Sequence, residues 1–260
     1  MKAIILGASR GIRKQDSAES YPFALMDLEG KSVLDWLVSS LNAVGVSNIV
    51  YVGGYHIEKI VHNYSDLKFY YNPEWESTGT LTSLFCAEKE LSGPCLITYS
   101  DVIYRQEVVK KIMSFSKDND IVLAIDTTSK ERLMELEHAE KFEEVMGSDS
   151  GILKIGCFNS DVGETAGTGF FAGLCYYSEN GITILKEHYN RLKITYRDKK
   201  FYSSQNIREA SLSDITQSLV DLGLDIKGVE VGDRWSKIQN TFSLPRFIFS
   251  TKLQALESCG

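Results

Sequence analysis

Short apolar runs bounded by Gly, Asn, Asp or Ser alternate, through the first half of the chain, with stretches whose apolar positions recur every three or four residues. The runs "KAIIL", "NIVYVGGY", "LKFYYN", "PCLITYSDVIY" and "DIVLAID" predict strands, several apolar throughout as strands covered on both faces are. Between the first two, Val33, Leu34, Leu37, Val38, Leu41 and Val44 share one helical face, with Ser32 placed to cap it and Gly45 to stop it. "HIEKIVHNY", "LTSLFCAEKEL" and "QEVVKKIMSF" repeat the helical spacing. Strands alternating with helices predict a parallel sheet.

The pattern changes from about residue 135. "KFEEVM", "GILKIGCF" and "GFFAGLCYY" predict antiparallel strands with Gly-rich connections. "NGITILKEHYNRL" and "SLSDITQSLVDLGLDI" predict helices, the second closed by Gly223. "KGVEVGDRWSKI" reads as a last strand pair and "LPRFIFSTKLQALES" as a terminal helix. The expected class is α/β, a Rossmann-like, mostly parallel central sheet with an antiparallel insertion in its second half. No repeat and no linker interrupts the chain before residue 240.

Composition narrows the function classes. The chain has 260 residues, 43% hydrophobic and 24% charged, enough for a substantial buried core. A net charge of -7 argues against a general nucleic-acid binder or a polybasic membrane surface. No run of about 18 apolar residues and no signal-peptide pattern is present. The five cysteines (86, 95, 157, 175 and 259) form no C-x-x-C pair and mostly sit in apolar runs. Buried thiols and a cytoplasmic location are therefore expected, with neither nucleic acid nor membrane as partner.

The stretch "KAIILGASRGIR" carries the first candidate chemistry. A small-residue turn leaving a parallel strand can cradle a phosphate on its backbone amides. Gly7, Ala8, Ser9 and Gly11 keep side chains clear, and Arg10 and Arg13 can add charge-assisted contacts. The alternative is a plain strand-to-helix turn with solvated arginines. It is neither G-x-G-x-x-G with an acidic residue closing a second strand nor a G-K-[ST] P-loop. Asp101, where "CLITYS" breaks, lies at a strand's carboxyl end, where open α/β sheets place their sites, or else caps the next turn. His56, His62, His138 and His188 lack ligand spacing and read as surface or core residues.

Several stretches, taken in order, resemble the sugar-nucleotidyltransferase superfamily. "ILGASRGIR" resembles its phosphate-binding signature I-L-A-A-G-x-G-x-R, and "YPFALMDLEGKSVLDWLVSSL" the R-P-K-x-L segment that follows. "IVYVGGY" is similar to its second strand. "NPEWESTGTLTSLFCA" resembles the N-P-x-y-x-x-T-N-N-x-x-S-L segment of choline-phosphate and phosphonate cytidylyltransferases. "LITYSDVIY", "GTGFFAGLCYYSENG" and "VEVGDRWSKIQN" resemble the L-V-x-x-G-D-V-x-F, G-E-F-x-G-L and W-x-E-I-D motifs. The resemblance covers about residues 1–245, read as a nucleotidyltransferase-like domain. Residues 246–260 are then a C-terminal helix or the start of a tether to a further domain, since "LPRFIFSTKLQAL" resembles a segment leading into fused domains.

The resemblance implies a GT-A-like nucleotidyltransferase fold in which a substrate phosphate or phosphonate oxygen attacks the α-phosphorus of a nucleoside triphosphate and pyrophosphate leaves. CTP is the favoured nucleotide, a small phosphorylated or phosphonate alcohol the acceptor, and Mg²⁺ the cofactor. Nucleotide contacts are implied at Leu6, Gly7, Ala8, Ser9, Arg10 and Gly11, at Tyr55 beside Gly54, and at Thr78, Gly79, Thr80 and Ser83. Thr78–Ser83 reads equally as a helix cap, and Tyr55 as packing. Asp101 matches the metal-binding Asp. A homodimer and a fused or partner domain at the C-terminus are partners compatible with this reading.

Departures from the family pattern are specific. Phe23 stands where the P-K-x-L lysine is expected, Ser9 replaces a glycine, and Phe170 replaces the Glu of G-E-F. Lys237 and Gln239 replace the acidic residues of W-x-E-I-D. Asp233 is the candidate for a second metal carboxylate, with Glu230 beside it, though either can be a solvated strand-end charge. Arg13, Lys14 and Lys154 are the candidate catalytic cations, Lys31 being a further one. Lys154 and Asp126 can instead be ordinary strand residues. The rival class is a catalytically degenerate module of the same fold that binds a nucleotide or nucleotide-sugar. A glycosyltransferase is weaker because Ser100 precedes Asp101 where D-x-D is wanted.

Overall fold

The computed structural model describes residues 1–10, 21–127, 144–148, 151–156 and 168–238, and for 144–148, 151–156 and 168–170 it describes the backbone. The apolar run after Met1 forms β1 (Lys2–Gly7), whose alternate residues face opposite ways: Ile4 and Leu6 toward one core, Ala3 and Ile5 toward another. β2 (Asp27–Leu28) and β3 (Lys31–Ser32) make a small hairpin through Glu29 and Gly30, both at positive φ (56° and 81°). α1 (Val33–Asn42) starts at the expected cap, where Ser32 and Asp35 form a reciprocal capping box.

β4 (Asn48–Gly53), α2 (Ile57–Asn63), β5 (Lys68–Tyr71), α3 (Thr80–Cys86) and β6 (Cys95–Tyr99) then follow as the sequence pattern expects. Asp101 breaks the next apolar run, which resumes as β7 (Val102–Tyr104) before α4 (Gln106–Phe115) and β8 (Ile121–Asp126). β9 (Glu144–Ser148), β10 (Gly151–Gly156) and β11 (Thr168–Tyr177) are antiparallel, as expected. α5 (Glu179–Thr195), α6 (Leu212–Asp221), β12 (Lys227–Glu230) and β13 (Trp235–Lys237) complete the described chain.

Nine strands of the described residues share one sheet. β5, β4, β1 and β6 are parallel neighbours. β11 then runs antiparallel between β6 and β8, and β12 lies parallel to β8. The β9–β10 hairpin extends from the start of β11. The antiparallel part is thus threaded through the sheet by β11, with an irregularity between Phe171 and Cys175 where Gly173 takes φ 78°. One sheet face packs on α3, α5 and α6 through Leu81, Leu84, Leu185, Ile215 and Leu219. The other packs on α1, α2 and α4 through Leu34, Leu37, Ile60, Val109 and Ile112.

The last strand pair is corrected. β12 and β13 do not pair with each other. The Val231 amide donates to the Ile125 carbonyl (2.7 Å) and keeps the chain on β8, after which the turn at Gly232 carries it away. β13 then pairs antiparallel with β7 in a separate two-stranded sheet. Trp235 is buried there, its indole Nε1 donating to Asp126 (2.9 Å), so Asp126 is a core acceptor. Cys95 and Cys175 are buried and Cys86 half-buried, none in a disulfide. His188 is buried against Ser218, His56 pairs with Glu58, and His62 is exposed. The expected terminal helix, the boundary at 245, and Cys157, Cys259 and His138 lie outside the described residues.

At the opposite edge from the strands' carboxyl ends, Glu90 accepts from Lys2 (2.8 Å), Lys68 and Tyr70 (2.7 Å), tying β1 and β5 together. These hydrogen bonds hold its carboxyl down at about 2. A depressed carboxyl contributes stability above its unfolded value near 4.5 and loses it as pH falls toward 2. Glu90→Gln is therefore expected to cost about 2 kcal/mol at neutral pH, discounted because Lys68 is exposed, and nothing near pH 2. Urea unfolding of both proteins from pH 7 to pH 2.5 checks this, and parallel curves across that range would refute it.

Candidate active site

The strand order reverses around β1, with β4 on one side and β6 on the other, and such a switch opens a crevice at the carboxyl ends. β1 ends at Gly7, a position where nothing larger fits. A Cβ there would lie 2.1 Å from the Tyr51 hydroxyl and 2.8 Å from Ser100 Oγ. Tyr51, buried in β4, donates to the Gly7 carbonyl (3.2 Å), and burial pushes its phenol up. The Ser100 amide donates to Leu6 O (3.0 Å) and the Tyr55 amide to Ala8 O (2.9 Å), fixing the course of the turn.

A cleft of about 240 Å³ opens over this turn. Leu6, Gly7 and Ser9 line it from β1 and its turn, and Tyr99, Ser100 and Asp101 from the end of β6 and the residues after it. Thr80 and Ser211, at the starts of α3 and α6, line it too, joined by the Leu212 amide donating to Thr80 Oγ1 (3.2 Å). Tyr51, Phe23, Ala24, Lys237 and Ile238 complete the lining. Phe23 is buried in a satellite cluster with Met26, Leu28, Val33 and Ile238, so this position supplies hydrophobic packing and no charge.

Asp101 is the anion of this cleft. About a third of its side chain is open (35%), yet Oδ1 is buried without a hydrogen-bond partner. Burial pushes its carboxyl above the usual range, and Lys237 moderates the effect. Pairing of β13 with β7 sets Lys237 opposite Val102, and the Ile238 amide donates to Asp101 O (2.7 Å). Lys237 Nζ thereby lies 3.9 Å from Asp101 Oδ2 and 5.9 Å from the Tyr99 ring centre.

The parallel strand, the small-residue turn and the carboxylate just past the neighbouring strand's end all fall within one stretch that a family model matches. The model of the MobA-like NTP transferase domain matches residues 3–154, more than half of the chain. The chain belongs to that family. It is 24% identical over 252 residues to the CTP:phosphoglutamine cytidylyltransferase of Campylobacter jejuni, covering 92% of this chain and 95% of that one. In fold it is similar to the inositol-1-phosphate CTP transferase of T. maritima, with a TM-score of 0.70 at 19% identity, covering 96% of this chain and 93% of the other. It is also similar to the CTP:phosphocholine cytidylyltransferase of Streptococcus pneumoniae, with a TM-score of 0.63 at 16% identity over 98% of each chain. Those likenesses confirm the expected α/β nucleotidyltransferase fold.

Around this cleft the residues singled out from sequence divide. Leu6, Gly7, Ser9, Thr80 and Asp101 line it together. Ala8 is buried behind the turn, and the Arg10 guanidinium lies 5.6 Å from the Tyr55 ring centre. Tyr55 lines a separate open hollow with Trp75 and His56, whose rings it meets edge-on. Thr78 and Ser83 stand off the cleft. Asn72, itself buried, donates to both hydroxyls (2.9 Å each), so they brace the loop. Gly79 is fixed by packing, because a Cβ would lie 2.2 Å from the carbonyl oxygens of Glu209 and Ala210.

Asp233 lies in the exposed turn before β13 and does not line the cleft. The Glu230 carboxylate is taken by the amides of Thr127 (2.9 Å) and Gly232 (2.7 Å). Gly11, Arg13, Lys14 and Gln239 lie outside the described residues, as does the side chain of Lys154. Sequence reasoning did not single out Tyr51 or Ser211, and it met Lys237 only as a departure from the W-x-E-I-D motif, not as a site cation. For Lys237 a signal existed, since in "WSK" the buried Trp235 and Lys237 share strand parity.

No cluster of three His, Cys, Asp or Glu side chains able to hold a metal exists among the described residues. The orphaned Asp101 Oδ1 is nonetheless the kind of single oxygen ligand that suffices when phosphates and waters supply the rest of a divalent shell. The donor set fits a hard divalent cation that arrives with a nucleotide.

Proposed function

We propose that the protein is a cytidylyltransferase, transferring CMP from CTP to a small phosphorylated or phosphonate alcohol with release of pyrophosphate. The carrying observation is the joint placement of the Gly7–Ser9 turn, Asp101 and Lys237 in one cleft at the sheet's switch point. The choice of CTP is supported by the names of the Campylobacter relative and of the two fold neighbours, which cover nearly the whole chain.

In this reading the acceptor's phosphate oxygen attacks the α-phosphorus in line, forming the new P–O–P bond as the bond to pyrophosphate breaks. No covalent enzyme intermediate is needed, so the protein's task is to hold two anions in line and offset their charge. The turn after β1, with Gly7 pinned by Tyr51, would offer the polyphosphate backbone at Gly7 flanked by the hydroxyls of Ser9, Tyr51 and Ser100. Asp101 would hold Mg²⁺ through Oδ1, and the bound cation would supply neutralisation of developing phosphoryl charge. Thr80 and Ser211 offer hydroxyls on the same cleft, and buried Phe23 excludes water from one side.

The test is pyrophosphate release from each of the four nucleoside triphosphates with Mg²⁺ and a panel of phospho- and phosphonate alcohols. CTP is expected to be used in preference to UTP, ATP and GTP. Release with none of them, or with UTP alone, would overturn the reading. The burial of Phe23 favours a second one, a degenerate nucleotide-binding module. It predicts CTP binding by calorimetry with no turnover against any acceptor.

A further inference from the structure

Charge in the cleft is sparse. Among the described residues that line it, Lys237 is the sole cation and Asp101 the sole anion, and the other polar groups are hydroxyls and backbone. A polyphosphate entering here must therefore meet Lys237 or remain without a cationic side chain from these residues. The geometry leaves that lysine available. Its Nζ stands 3.9 Å from Asp101 Oδ2, beyond hydrogen-bond length, and it donates to no described residue. About a quarter of its side chain is open (23%).

The backbone beneath it is held firmly. β13 is paired to β7, the Ile238 amide is bonded to Asp101 O, and the Ile238 side chain is buried in the cluster that contains Phe23. A flexible four-carbon stem on a fixed strand lets the ammonium turn from one anion to another without moving the sheet. An ion pair this loose gives up little when it opens.

We propose that Lys237 is the phosphate-binding cation of this cleft. It balances Asp101 while no ligand is bound and turns to the oxygens of an incoming polyphosphate, freeing the carboxylate to face the divalent cation that accompanies it. The proposal deepens the nucleotidyltransferase reading and rests on it for the identity of the polyphosphate, but not for the binding itself. A merely structural lysine would hold Asp101 in place and would contribute nothing to anion affinity.

Calorimetry with inorganic tripolyphosphate, CTP and phosphocholine, each with and without Mg²⁺, separates these roles in the wild type, Lys237→Met, Lys237→Gln and Lys237→Arg. The wild type is expected to bind tripolyphosphate without metal. The Met and Gln variants should bind it about 10- to 100-fold more weakly, as loss of a charge-assisted contact implies, and the Arg variant within about threefold of wild type. Thermal melts identify which variants are folded. Equal tripolyphosphate affinity in wild type and a folded Met or Gln variant would overturn the proposal. So would absence of tripolyphosphate binding by the wild type, or a loss confined to phosphocholine. Wild-type binding of tripolyphosphate but not CTP, with the loss in the variants, supports Lys237 while refuting the cytidylyltransferase reading.

Discussion

Asp101→Asn is expected to lower CTP-dependent pyrophosphate release at least about a hundred-fold while leaving thermal stability at pH 7 unchanged or higher. The two effects have opposite signs for one reason. Asp101 Oδ1 is buried with no partner, and Oδ2 has only an ammonium at 3.9 Å, so the folded protein gains little from the charge. Burial raises the carboxyl's affinity for protons, which makes its ionised form a cost to the fold above the usual carboxylate range. A neutral amide of the same shape removes that cost. It also removes the anionic ligand for the cation that offsets phosphoryl charge, a contribution of at least about two powers of ten in rate. Asparagine substitution followed by a pyrophosphate assay and a thermal melt reads both quantities. Undiminished release would show that the reacting phosphates sit elsewhere, and a melting point lowered by several degrees would make Asp101 a structural cap.

Much of this architecture is legible in the sequence because it is local. The runs around Ile4, Val50 and Ile97 are apolar at consecutive positions, and strands buried on both faces need that. Ser32 with Asp35 announces the start of α1, and the break at Asp101 marks the end of β6. What the sequence hides is pairing between distant segments. Nothing local to "KGVEVGDRWSKI" tells that its first half joins β8 and its second half β7, because both halves have the same alternation. That pairing alone brings Lys237 to Asp101. The hydroxyls of Thr78 and Ser83 were ambiguous for a related reason: a ligand contact and a bond to Asn72 place the same demand on residue type.

Asp214→Ala should be the most damaging of these substitutions to stability, by about 3 kcal/mol or more. Asp214 is fully buried, and its two oxygens take five hydrogen bonds: from Ser203 N and Oγ, Ser204 Oγ, and Ser211 N and Oγ. Alanine leaves those donors without their acceptor, and each unsatisfied group of that kind costs about 1–3 kcal/mol where water cannot replace it. One of the five, from Ser211 N, is half of the capping box at the start of α6, so the same substitution weakens that helix start. Partial hydration of the exposed side of the 203–204 loop keeps the total below the sum of those losses. The damage should reach the cleft, because Ser211 lines it and the neighbouring Leu212 amide holds Thr80. Asp214→Asn, which keeps the shape but turns one acceptor into a donor, should fall between wild type and alanine. Urea unfolding measures the series. An alanine variant within about 0.5 kcal/mol of wild type would mean that water or a shifted serine takes the carboxylate's place, and that this wall of the cleft is held by packing of Leu212 and Ile215 instead.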